Sequence, residues 1–213
     1  MRRLAATLGV ILGCACVARA DPPQITWEWY NTAETYRNYR VKGRDDLRIS
    51  ARYFRMAAEK GNSTAAYKLG EAYEEGIGVP KDPVQALHWY RRAAEQGDKH
   101  AELRIGYFYQ KGIAVSRDPV AAVQWYRLSA AKNNIWAYHM LAFMLADGEG
   151  LLKDQKLAKA YLEKSLPQTN DHWAKWKLAH LIRADDPARA KQLLKEASAA
   201  GNTQAAEELK HFN

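Results

Sequence analysis

Apolar side chains in this chain fall at helical spacing, and they do so in paired segments. Ala65, Leu69, Ala72 and Tyr73 form one stripe, and Ala86, Trp89, Tyr90, Ala93 and Ala94 form the next. Each set recurs every three to four residues, the spacing that puts side chains on one face of an α-helix. The punctuation agrees. Gly76 follows the first stripe, where a left-handed residue ends a helix at least cost, and Asp82-Pro83 precedes the second. An aspartate there offers an N-cap oxygen, and the proline's missing N–H is not needed in the first turn. Asp118-Pro119 and Asp186-Pro187 repeat the device. The second segments stop at Gly61, Gly97 and Gly201, and Asn133-Asn134 takes that place once. The chain therefore reads as all-α, built from antiparallel helix pairs.

These pairs are copies of one another. Ala65-Ala66-Tyr67-Lys68-Leu69-Gly70-Glu71-Ala72-Tyr73 returns 36 residues later as Ala101-Glu102-Leu103-Arg104-Ile105-Gly106-Tyr107-Phe108-Tyr109. The same step carries Gly76 to Gly112 to Gly148, Asp82 to Asp118 to Asp154, and Ala86 to Ala122 to Ala158. A single pair cannot bury its aromatic face, so neighbouring pairs stack and share one continuous core. Small residues at Ala65, Gly70, Ala86 and Ala93 let helix backbones approach, and the Trp and Tyr side chains fill the remaining volume. The expected layout is a partial unit over 45–62, repeats over 63–98, 99–134 and 135–168, a degenerate repeat over 169–202 and a capping helix over 203–213. Residues 21–44 carry the aromatic cluster Trp27, Trp29, Tyr30, Tyr36 and Tyr39 and are expected to close the open end of the stack, with ligand stacking as the alternative role.

The N-terminus changes the picture of where the protein works. Met1, Arg2 and Arg3 precede an uncharged apolar run from Leu4 to Ala18, and Ala18-Arg19-Ala20 has the small-x-small pattern of a cleavage site. This reads as a signal peptide over 1–20, too short to span a bilayer, with export to the periplasm and no transmembrane segment in the mature chain. Processing as a lipoprotein at Cys14 is the alternative. Both cysteines, Cys14 and Cys16, lie in the leader, so no disulfide holds the mature protein. The full chain has a formal net charge of +8, and loss of Arg2, Arg3 and Arg19 leaves 29 basic against 24 acidic residues. A mildly basic exported protein favours acidic or anionic partners and argues against nucleic acid.

The string Tyr67-x-Leu69-Gly70-x-x-Tyr73-x-x-Gly76-x-Gly78-Val79-Pro80-x-Asp82-x-x-x-Ala86-x-x-Trp89-Tyr90-x-x-Ala93-Ala94-x-x-Gly97 resembles a full Sel1-like repeat, a relative of the tetratricopeptide repeat. The second unit departs from it at Ala114 and the third at Leu151-Leu152. The resemblance implies a right-handed superhelical solenoid used for protein interaction in bacterial envelopes. Its sharpest functional form is an immunity protein that neutralises a lipase-type effector of type VI secretion, with another protein, a secreted toxin, as partner. An envelope assembly or secretion adaptor and a peptidoglycan or polysaccharide binder are the alternatives. A beta-lactamase-like hydrolase is more remote, because the cysteines that mark that branch are missing.

A repeat separates residues the architecture demands from those it leaves open. The first-helix columns read Thr64, His100, Trp136, Trp173 and Glu71, Tyr107, Phe143, His180, and between them Tyr67, Leu103, His139, Trp176. By similarity to tetratricopeptide proteins this face lines the concave groove. Aromatic character gathers toward its C-terminal half, which suits an interaction hot spot. The expected partner-binding residues are His100, Tyr107, Trp136, His139, Phe143, Trp173 and His180, with Lys111 and Arg183 at the edge. Trp176 is expected to pack against a neighbouring helix.

Motifs for catalysis or cofactor binding are weak. No serine sits in a Gly-x-Ser-x-Gly elbow, and the histidines His88, His100, His139, His172, His180 and His211 show no His-Glu-x-x-His spacing. Gly76-Ile77-Gly78 and Gly148-Glu149-Gly150 follow helices, not strands, so they read as loop glycines. No catalytic residue, cofactor or metal is expected.

Overall fold

The computed structural model describes residues 24–38 and 44–212. The leader expected over 1–20, with Cys14, and the aromatic Tyr39 lie outside the described residues. Within them every regular element is helical: α1 (Gln24–Asn38), α2 (Arg44–Glu59), α3 (Ser63–Glu75), α4 (Pro83–Glu95), α5 (Lys99–Lys111), α6 (Pro119–Ala131), α7 (Ile135–Asp147), α8 (Gln155–Thr169), α9 (His172–Ile182), α10 (Pro187–Ala199) and α11 (Thr203–Lys210). Each odd-numbered helix up to α9 packs along the even-numbered one that follows, and each pair packs on the next, giving an all-α solenoid.

The caps explain why the boundaries fall where they do. Asn62, Asp82, Asp98, Asp118, Asn134, Asp154, Asp171, Asp186 and Asn202 each accept a hydrogen bond from a backbone N–H two or three residues on. Such a cap satisfies an otherwise orphaned donor and stabilises by about 1 kcal/mol. Gly76, Gly112 and Gly148 end the first helices at φ between 70° and 78°. Ala114 holds φ 59° at the position where Gly78 and Gly150 sit at 72° and 73°. A Cβ on Gly78 would lie 2.0 Å from the Leu47 carbonyl oxygen, and one on Gly150 would lie 2.4 Å from that of Pro119. Those two glycines let the loop of one pair touch the second helix of the pair before it.

The core follows the same repeat. A Cβ on Gly70 would sit 2.6 Å from the Tyr90 ring, and one on Gly106 would sit 2.6 Å from Tyr126. Both tyrosines are fully buried, so the glycines exist to seat the rings. The next two pairs carry Ala142 with Leu162 and Ala179 with Leu194 in the same places, again fully or almost fully buried.

The segment expected to close the N-terminal end is a helix that pairs with α2. Ala33 is buried, Trp29 and Tyr30 pack on the core, and Ser50 donates to the Ala33 carbonyl at 2.9 Å. It thus supplies the first helix that the partial unit over 45–62 lacked. At the other end α11 buries Ala205 and turns Thr203, Gln204, Glu207 and Lys210 to solvent, as a terminal unit must.

Candidate partner-binding face

The open columns of the first helices meet across the stack. Leu103, Arg104 and Tyr107 on α5, Trp136 and Met140 on α7, and Tyr126 beneath them line a cleft of about 220 Å³. The Trp136 indole is 47% exposed, and the next first helix presents Trp173 at 42%. Trp173 meets Trp176 edge-on with centroids 6.1 Å apart, and Trp176 lies 6.5 Å from the His180 ring. Aromatic surface therefore runs from α5 across α7 to α9.

Ion pairs fix the shape of this face. The Arg104 guanidinium lies over the Tyr107 ring and donates to both Glu74 carboxylate oxygens on the previous first helix. Glu74 also accepts the Tyr90 hydroxyl at 2.6 Å. Two repeats further along, Lys177 Nζ donates to both Asp147 oxygens at 2.7 and 2.9 Å and sits over the Phe143 and Trp176 rings. With charges held and side chains clamped by rings, the indoles stand on rigid ground, which lowers the entropic cost of binding. Burial pushes the phenols of Tyr67, Tyr90 and Tyr126 well above the ordinary tyrosine range, so they stay protonated and act as hydrogen-bond groups.

Most of the expected residues lie on this surface, and two need correction. His100, Lys111 and His180 are exposed, Tyr107 and Phe143 are half-buried, and Trp136 and Trp173 are open. His139 is 2% exposed and lies under Trp136, edge-on at 5.4 Å, with Thr169 Oγ1 3.3 Å from its Nε2. A side chain this deeply buried cannot touch a partner. Arg183 is exposed, but its guanidinium stacks on Phe212 at 4.6 Å and so belongs to the C-terminal cap. Trp176 is half-buried and donates to Glu208 at 2.8 Å, packing on α11 as expected. Arg104, Met140 and Lys177 were missed. The signal was present, because the column Lys68, Arg104, Met140, Lys177 lies four residues from position 64 and three from 71.

The N-terminal aromatics divide. Tyr36 stacks on Tyr53 with centroids 6.3 Å apart, Tyr30 packs on Phe54, and Trp27 remains 44% exposed. Among the described residues no three His, Cys, Asp or Glu side chains converge on a metal-sized site, and no helix is long and apolar enough to cross a membrane.

The Sel1 repeat family matches this architecture over residues 41–62, 63–98, 99–134, 137–166 and 180–202, more than half of the chain. The chain belongs to the Sel1 repeat family. A Sel1 repeat protein from Oxalobacter formigenes is 30% identical with a TM-score of 0.76, over 86% of this chain and 74% of that one. The protective antigen c5321 of uropathogenic Escherichia coli, described as displaying an SLR fold, is 29% identical with a TM-score of 0.76, over 87% of this chain. This chain spans only 40% of that protein's length. The immunity protein Pa5087 of Pseudomonas aeruginosa shares the fold at 20% identity and a TM-score of 0.53, over 86% of this chain and 69% of that one. No curated protein matches the sequence.

Proposed function

We propose that this Sel1 repeat protein is a non-catalytic envelope protein that grips another protein along the α5, α7 and α9 face. The observation that carries the reading is the pair of open indoles, Trp136 at 47% and Trp173 at 42% exposed, on a face where Arg104 and Lys177 are already held by Glu74 and Asp147. Large aromatic side chains left nearly half exposed hold apolar surface that the stack does not cover, and they are the groups that dominate protein-binding hot spots.

In its sharpest form the partner is a secreted toxin and the protein confers immunity to it, the toxin being a lipase-type effector of type VI secretion. Two features support that form. The leader pattern over residues 1–20 is that of a chain exported to the compartment where such effectors act, and a fold neighbour, 69% of whose length this chain covers, is an immunity protein. The test is a pull-down from periplasmic extract with the wild-type chain and with a Trp136→Ala/Trp173→Ala variant as bait. A protein retained by the wild type and lost by the variant is expected, and its identity decides between toxin and assembly partner. Equal retention by both baits would remove the face from the reading.

A further inference from the structure

The second helices form the opposite layer of the solenoid, and their outward side chains also recur in columns. Arg55, Arg91 and Arg127 occupy one column on α2, α4 and α6, and all three are exposed. Arg52 lies on the same face of α2, also exposed. Over α2, α4, α6, α8 and α10 there are 13 Lys and Arg against 6 Asp and Glu, whereas the first helices and α11 carry 8 against 9. The basic excess of the chain thus resides in one layer.

The same layer holds exposed aliphatic side chains. Val84 is 63% exposed, Val120 57% and Leu128 49%. The helix contacts use Ala86, Tyr90, Ala93 and their counterparts, all buried, so the stack needs none of these outer residues. The two layers therefore expose different chemistry: indoles on the first helices, guanidinium groups beside aliphatic side chains on the second.

We infer that the second-helix face docks on a lipid surface bearing anionic phospholipid headgroups. Arginines repeated over three successive helices match a laterally extended layer of phosphates and not a compact ligand. Val84, Val120 and Leu128 project where side chains of an interfacial protein enter the headgroup boundary. No described helix is long and apolar enough to span a bilayer, so the contact is peripheral.

Co-sedimentation of the chain with vesicles tests this. Vesicles of phosphatidylcholine containing phosphatidylglycerol are expected to retain it, pure phosphatidylcholine is not, and retention falls as salt screens the charges. Arg52 and Arg127 hold no partner among the described residues, so Arg52→Glu/Arg127→Glu leaves the fold intact. That variant is expected to bind anionic vesicles at least about tenfold more weakly, and Val84→Ser/Val120→Ser several-fold more weakly. The Trp136→Ala/Trp173→Ala variant binds them unchanged, which separates this face from the protein-binding one. No retention, equal retention on neutral vesicles, or full retention of the charge-reversed variant would overturn the inference.

Discussion

The pairs α3/α4 and α5/α6 solve the packing of a helix junction differently from α7/α8 and α9/α10. In the first two, a glycine seats a tyrosine: Gly70 under Tyr90 and Gly106 under Tyr126. In the last two, Ala142 and Ala179 stand with Leu162 and Leu194. One side of the junction grows by a methyl group while the other loses an aromatic ring and a hydroxyl. The tyrosines need polar partners, which Glu74 and Gln110 supply, at 2.6 and 2.9 Å. Ala146 takes the place of Gln110 in the third repeat, beside a leucine that asks for none. The inner surface changes along with the core. Thr64 and Glu71 give way to Trp136, Phe143 and Trp173, so the half with the aliphatic core carries the aromatic face. The repeat fixes a backbone spacing and a volume, and leaves surface chemistry open.

Substitutions can break or sharpen that comparison. The largest effect is expected for Gly106→Ala, whose new Cβ meets the Tyr126 ring; it should cost about 1 to 3 kcal/mol by urea denaturation. Adding Tyr126→Leu recreates the pairing of the next repeat and should restore much of the loss. If the double variant is as unstable as the two single losses added, the halves are not alternative solutions of one junction. Tyr90→Phe comes next, at about 1 kcal/mol, because it removes the hydroxyl that donates to Glu74 and leaves that buried network one donor short. Ala114→Gly should stabilise by about 0.5 kcal/mol, since it relieves a left-handed alanine at the cost of a freer unfolded chain.

Burial, opposed by Asp171, holds His139 below the ordinary histidine range. The unfolded chain then binds a proton that the folded chain resists, so stability is full above about pH 6.5 and declines as pH falls from there toward the folded-state value. Thermal melts at pH 7.5 and 5.5 should show a larger drop for the wild type than for His139→Gln. Equal drops would contradict this assignment.

The fold was legible because caps and core repeat together. Asp82, Gly76 and Gly97 each have one physical task, and their recurrence fixed both the element type and the register. Helix α1 was less legible, since the apolar residues of Gln24–Asn38 are mostly aromatic. The face was legible in part. Column reading found Trp136 and Trp173, but positions 64, 67 and 71 span the edge of the helix face. One column lies deeper than the others, and at His139 burial decides against contact. Arg104 and Lys177 escape a sequence reading because their partners, Glu74 and Asp147, lie 30 residues away on another helix. Such pairings become visible only once the pairs are stacked.

The most direct test sets folding against binding for the open indoles. Thermal unfolding of Trp136→Ala/Trp173→Ala should stay within about 2 °C of the wild type. Titration against the captured partner should lose about 2 kcal/mol or more, roughly thirtyfold in Kd. A melting temperature that collapses, or an affinity that does not move, would show that these rings serve the stack and that the partner is held elsewhere.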